Sequence, residues 1–320
     1  VRYAELPSGV RIAYDVFGSP GDPAMLLVMG LGMQMLGWDE RFCELLAGRG
    51  YRVIRFDNRD VGLSSRFDEA GRPNVIAGAV GATRRAPYLL ADMAADAAGL
   101  LDHLGIDAAH VTGASMGGMI GQTLAARHPQ RVRSLCSIMS GPGGRRPATM
   151  PRLGVIGTLL ARPPQQRDAY AEHIVKLFGR IGSPGYAPDM ERLRRVALRE
   201  RQRHDHRDRR RRVERRRDAR TKQEHRRRGD RREHRGRNAR RHPLIGRVDV
   251  DATDPRAAVA DVLHGRSDRL LPPAGGKLVA AAIPAARLEL IDGMGHDMPV
   301  ELWPRFIAMI AENAGRAKPL

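Results

Sequence analysis

Hydrophobic and polar residues alternate in two stretches within the first thirty positions, Val10 to Phe17 being the clearer. A loop with Pro20 and Pro23 follows, and then the apolar run Ala24 to Met29. Short runs of this kind, bounded by Gly and Pro, predict strands. After Trp38 the apolar positions recur at helical spacing as far as Ala47, Gly48 and Gly50 close the segment, and Tyr51 to Phe56 predicts a further strand. The unit then repeats. Leu89 to Leu104 predicts a helix ending at Gly105, Ala109 to Thr112 a strand, Met119 to Arg127 a helix stopped by Pro129, and Val132 to Met139 a strand. Buried strands alternating with helices predict the α/β class, with a mostly parallel central sheet covered by helices on both faces.

From Gly141 through Pro188 the pattern weakens, Gly and Pro are frequent, and two helical stretches remain, Arg167 to Phe178 and Met190 to Leu198. This reads as an insert rather than more sheet. Regular patterning returns with the strand Val259 to Leu263, a helix from Pro273 to Ala282, the strand Ala286 to Ile291 and an amphipathic helix from Glu301 to Asn313. Both ends of the chain therefore build one core: residues 1–141 supply its first part, 251–320 its second, and 142–250 form an inserted cap.

The chain has 320 residues, 42% of them hydrophobic, and no uncharged apolar run in it approaches the ~18–20 residues that cross a bilayer. A membrane-spanning protein is excluded on that count. Two cysteines, Cys43 and Cys136, cannot make a disulfide framework. Residues Val1 to Glu5 lack the apolar stretch of a signal peptide, so a cytoplasmic protein is expected. The net charge of +19 is unevenly placed: between Arg199 and Arg241 there are 21 Arg and Lys222 against eight acids, a surplus of 14. Elsewhere the chain is close to neutral.

The strongest local signal is Gly113 Ala114 Ser115 Met116 Gly117 Gly118, between a predicted strand and a predicted helix. A serine presented on so sharp a turn needs small neighbours, because its backbone is strained and the helix packs close. A serine hydroxyl is a poor nucleophile until a base takes its proton, and the base needs a carboxylate to hold its tautomer. With this strand-turn-helix nucleophile the partners follow in the order acid, then histidine. Asp268 lies in the loop after one predicted strand and His296 in the loop after the next, both at C-terminal strand ends. Taken alone, Asp268 is equally a turn-forming aspartate, His296 a solvated loop histidine, and Asp297 a competing acid. Oxyanion donors are expected from the backbone NH of Met116, at a helix start, and of Leu31, in the loop Met29 Gly30 Leu31 Gly32.

The segments LLVMGLGMQMLGW, RFDNRDVGLSS, VTGASMGGMI and ARLELIDGMGHDMP resemble the α/β-hydrolase fold family, in the branch containing aclacinomycin methylesterase and related bacterial carboxylesterases. The similarity covers about residues 1–198 and 263–315. Met29, where many relatives have histidine, and Asp60, where many have glycine, favour that branch. The resemblance implies hydrolysis of a small-molecule carboxylic ester, with methyl esters among the candidates. It assigns Ser115, Asp268 and His296 as triad, Leu31 and Met116 as oxyanion donors, and the insert as a helical cap. No metal and no organic cofactor is implied. Cofactor-independent haloperoxidation by the same triad, and an inactive hydrolase scaffold with a basic nucleic-acid-binding arm, are the rival readings.

The basic tract fits none of this. From Arg199 to Arg241 only Val213, Ala219 and Ala239 are apolar, so no face is available for burial and disorder is expected. Dense arginine supplies phosphate contacts, but aromatic residues that stack on bases are missing from the tract, which argues against a nucleic-acid partner. Family-like sequence stops near Leu198 and resumes near Leu263, and the lead-in to Asp268 carries Asp261. An arginine-dense tract is what an out-of-frame reading of a GC-rich gene gives. Resequencing the gene and translating every frame is expected to reveal cap-like sequence in another frame between these points; an intact frame with no such sequence in either alternative ends the idea.

Overall fold

The computed structural model describes residues 1–67, 87–143, 147–149, 154–155, 157, 161, 163–203, 205 and 259–317. Most of the arginine-rich tract, 206–241, lies outside the described residues. Among those described, one sheet contains β1 (Arg2–Glu5), β2 (Arg11–Phe17), β3 (Ala24–Val28), β4 (Arg52–Phe56), β5 (Ala109–Ala114), β6 (Val132–Ile138), β7 (Val259–Gly265) and β8 (Arg287–Ile291). Their spatial order is β1-β2-β4-β3-β5-β6-β7-β8. β2 runs antiparallel to both β1 and β4, and every other neighbouring pair is parallel. The alternating stretch Val10 to Phe17 belongs to the antiparallel side, whereas the continuous apolar run at β3 sits where a parallel interior strand belongs.

Among the described residues five helices pack on the sheet: α1 (Glu40–Ala47), α2 (Leu90–His103) and α3 (Met116–Arg127) from the first part of the chain and, after α4 (Arg167–Ile181) and α5 (190–203), α6 (Pro273–Ala282) and α7 (Trp303–Gly315) from the second. Side chains along a strand alternate between faces. Leu26 and Val28 of β3 pack with Ile54, Val111, Leu100 of α2 and Leu124 of α3. Met25 and Leu27 turn the other way, towards Val53, Phe42 of α1 and Trp303, Phe306 and Ile310 of α7. Each such leucine is fully buried and contributes about 1.5–3 kcal/mol.

The chain leaves β3 for β4 on one side and later returns to β5 on the other. That reversal is the position, at the carboxyl ends of the strands, where open α/β sheets bind their ligands. Asp261 is an acid within β7, flanked by β6 and β8. It is buried, and Arg316, beyond the end of α7, donates to its carboxylate. Burial raises the Asp261 carboxyl above the ordinary carboxylate range and the Arg316 charge opposes that.

The helices α4 and α5 have a small core of their own in Tyr170, Ala171, Ile174 and Ala197, with Phe178 and Leu198 against it. The expectation that burial stops at Arg199 is corrected here. α5 continues to residue 203, and Glu200 is fully buried. Its carboxylate accepts from the backbone NH of Gln34 at 3.0 Å and from the Tyr170 hydroxyl at 3.3 Å, while its carbonyl accepts from Gln34 Nε2 at 2.8 Å. One turn on, Arg203 donates to the buried Asp57 at 2.9 Å. Polar and charged groups, which hydrophobic patterning reads as solvated, make this junction.

Burial pushes the Glu200 carboxyl up to about 8 from an ordinary 4.5, with the Asp57 charge adding to the rise and the Gln34, Tyr170 and Arg203 contacts opposing it. Glu200 is thus neutral in the folded chain near pH 7 and ionised in the unfolded one. Its contribution to stability is complete below about pH 4.5 and is lost as pH climbs through about 8. Thermal unfolding of the wild type is expected to lose about 2–4 kcal/mol between about pH 5 and about pH 9 that Glu200→Gln does not lose. Parallel stability curves for the two proteins across that range refute the assignment.

Candidate active site

β5 ends at Ala114, α3 begins at Met116, and Ser115 between them has φ +56° and ψ −123°. Three glycines make the turn sterically feasible. A Cβ on Gly113 would fall 2.2 Å from the Gly117 carbonyl oxygen, one on Gly117 2.1 Å from that of Val28, and one on Gly118 2.6 Å from the Ser140 side chain. The serine backbone is tied down on both sides. Its NH donates to the Ile138 carbonyl at 2.9 Å, and its carbonyl accepts from Ser140 Oγ at 2.7 Å and the Gly118 NH at 2.9 Å. The helix starts at Met116, three residues earlier than periodicity predicts, because Gly117 and Gly118 have no side chain to carry the apolar pattern.

The hydroxyl of Ser115 lies 3.0 Å from Nε2 of His296, and Nδ1 of the same ring lies 2.7 Å from Oδ2 of Asp268. A carboxylate only accepts, so Nδ1 carries the proton and Nε2 is left to accept from the serine. Asp268 is buried in the loop after β7, and its other oxygen accepts from the backbone NH groups of Leu270 and Leu271, each at 2.8 Å. His264, at the end of β7, donates through Nε2 to the Leu271 carbonyl at 2.7 Å and so fixes the same turn. Burial holds the His264 imidazole below its ordinary value, which keeps it neutral. The hydroxyl, imidazole and carboxylate form one hydrogen-bonded line, along which a proton can pass from oxygen to nitrogen.

Asp297, the competing acid, does not share the imidazole. Its carboxylate is turned away to accept from Ser183 Oγ in the turn between α4 and α5. The loop after β3 crosses directly above Ser115: a Cβ on Gly30 would sit 3.1 Å from Ser115 Cβ and 3.6 Å from its Oγ. Leu31 projects its side chain outward, half exposed, and Gly32 follows at φ +70°. Met116 is the first residue of α3, so its NH has no intrahelical partner and lies at the positive end of the helix dipole.

The holders of the Leu31 loop went unread in the sequence. Asn58 Nδ2 donates to the Met29 carbonyl at 2.9 Å, Asp57 Oδ1 accepts from the Met35 NH at 2.8 Å, and Glu200 accepts from the Gln34 NH. Asp57 and Asn58 stand immediately after β4, a strand-end position that could have marked them. Glu200 carries no such signal, since it is 166 residues from its partner. Asp60 has φ +65°, a backbone that suits glycine and that aspartate tolerates; its Oδ1 accepts from the Phe67 NH at 2.7 Å.

A family model described as alpha/beta hydrolase fold matches residues 23–301. Two curated relatives are rhodomycin D methylesterases, DauP of Streptomyces sp. (strain C5) and DnrP of Streptomyces peucetius. Each is 36% identical over 132 residues, which is 41% of this chain and 40% of the relative. The aligned part therefore spans about two fifths of those proteins. Among solved structures, the esterase RhEst1 from Rhodococcus sp. ECU1013 superposes with a TM-score of 0.66 at 18% identity, over 99% of each chain. A shared architecture at that identity is a statement about fold. With a family match across most of its length and the sheet order described above, the chain belongs to the α/β-hydrolase fold family.

Proposed function

We propose that the chain is a serine hydrolase that cleaves carboxylic esters through an acyl-enzyme. The observation that carries this reading is the line Ser115 Oγ, His296 imidazole, Asp268 carboxylate, with spacings of 3.0 and 2.7 Å, at a serine held on a left-handed backbone. Ser115 attacks the ester carbonyl and His296 takes its proton. Asp268 keeps the imidazole oriented and stabilises the imidazolium. The NH groups of Leu31 and Met116 receive the oxyanion. Collapse of the tetrahedral species transfers the proton from His296 to the departing alcohol and leaves the acyl group on Ser115. Water repeats the cycle, giving the carboxylic acid and the free hydroxyl.

The substrate class is a small-molecule ester. Methyl esters come first because two relatives bear a methylesterase name. Residues 142–250 act as the cap between the core parts 1–141 and 251–320, and α4 and α5 are its described portion. Acyl transfer by this route uses only protein groups and water, without a metal or organic cofactor.

Ser115→Ala is expected to lower turnover of p-nitrophenyl and methyl esters by about 10⁴-fold or more while leaving the fold intact, since alanine meets the same backbone strain. Wild type is expected to be labelled at Ser115 by a fluorophosphonate. Undiminished hydrolysis by the variant removes the mechanism.

A further inference from the structure

The loop that presents His296 is in continuous contact with the turn between the two cap helices. The His296 NH donates to the Ile181 carbonyl at 2.7 Å, the Gly295 NH to Ser183 Oγ at 2.8 Å, and the Gly185 NH to the Gly293 carbonyl at 2.9 Å. The Tyr186 hydroxyl reaches the Asp292 carbonyl at 3.2 Å. The two backbones are close enough to require glycine. A Cβ on Gly295 would fall 2.2 Å from the Gly182 carbonyl oxygen, and one on Gly185 2.6 Å from Gly293 Cα.

One side chain joins both flanks of the histidine. Ser183 Oγ accepts from the Gly295 NH, one residue before His296, and donates to the Asp297 carboxylate, one residue after it. Ser183 is buried, so water does not readily replace its hydroxyl. A hydroxyl has both a donor and acceptor lone pairs, which this double contact uses. The Asp297 carboxyl is raised by burial and lowered by its bonds to Ser183 and by the His296 and Arg192 charges. It is thereby committed to the clamp, and Asp268 alone faces the ring.

We propose that Ser183, through its bonds to Gly295 and Asp297, is a positioning residue that sets the imidazole of His296 against Ser115, so that the cap turn forms part of the catalytic scaffold. The proposal rests on the serine-hydrolase reading. It assigns the α4–α5 turn a share in the chemical step in addition to any role in shaping the pocket. A displaced imidazole slows proton transfer, whereas a reshaped pocket alters substrate binding. The two therefore separate in kcat and KM.

The test measures p-nitrophenyl acetate hydrolysis and the rate of fluorophosphonate labelling in wild type, Ser183→Ala, Ser183→Thr and Asp297→Ala, with circular dichroism reporting the fold. Ser183→Ala is expected to lose roughly ten- to a hundredfold in kcat and in labelling rate with KM within about twofold. Ser183→Thr, which restores the hydroxyl, is expected to recover most of that loss. Asp297→Ala, which leaves the Gly295 contact in place, follows Ser183→Ala in direction and carries the test if that variant does not fold. A folded Ser183→Ala with wild-type kcat, or one in which KM alone rises, overturns the proposal and leaves the serine-hydrolase reading standing. A wild type that neither hydrolyses nor labels removes that reading and this proposal with it.

Discussion

A left-handed backbone on a residue with a Cβ costs about 1–3 kcal/mol, and Ser115 holds that conformation between β5 and α3. The bend lifts the hydroxyl clear of the sheet and brings the start of α3 against the end of β3. The contact is close enough that a Cβ on Gly117 would overlap the Val28 carbonyl. The strain is offset by bonds that exist only when β6 lies beside β5: the Ser115 NH to Ile138 and Ser140 Oγ to the Ser115 carbonyl. The placement of the Ser115 hydroxyl therefore depends on the pairing of β5 with β6. The same closeness brings Gly30, and with it the Leu31 loop, over the hydroxyl.

The core was legible because its signals are local. β3 reads as five buried apolar residues, α2 as a periodic segment closed by Gly105, and the nucleophile turn as small residues at fixed offsets. Asp268 and His296 were legible for a different reason: sheet topology places strand ends together, so two loops after consecutive strands had to be neighbours. Chain order and the family resemblance pointed to Asp268 as the acid that the imidazole faces, but what withdraws Asp297 was not legible. Asp297 is adjacent in sequence, but its carboxylate is held by Ser183, 114 residues away, and no periodicity encodes that contact.

The same limit explains the cap. Hydrophobic patterning placed the end of α5 near Leu198, since Arg199, Glu200, Arg201 and Arg203 read as a solvated run. Glu200 is nevertheless buried, and Arg203 reaches an aspartate that is itself inaccessible. A polar or ionisable group enters an interior when its partners meet it there, and those partners are Gln34 and Tyr170 for Glu200 and Asp57 for Arg203, from three separate parts of the chain. Packing against the core thus runs a further turn into the arginine-rich tract, to Arg203.

These contacts tie α5 to the segments that follow β3 and β4. Asp57 and Glu200 hold consecutive NH groups, those of Met35 and Gln34, just beyond the Leu31 loop. Without α5, Asp57 loses its only described cationic partner, Arg203, and the buried Gln34 NH loses its acceptor. An unpaired buried carboxylate either protonates or draws in water, and an unsatisfied NH moves to find a new partner. Both responses act on the segment that directly follows the Leu31 loop, so the packing of α5 and the placement of Gln34 and Met35 rest on the same Glu200, Arg203 and Asp57 contacts.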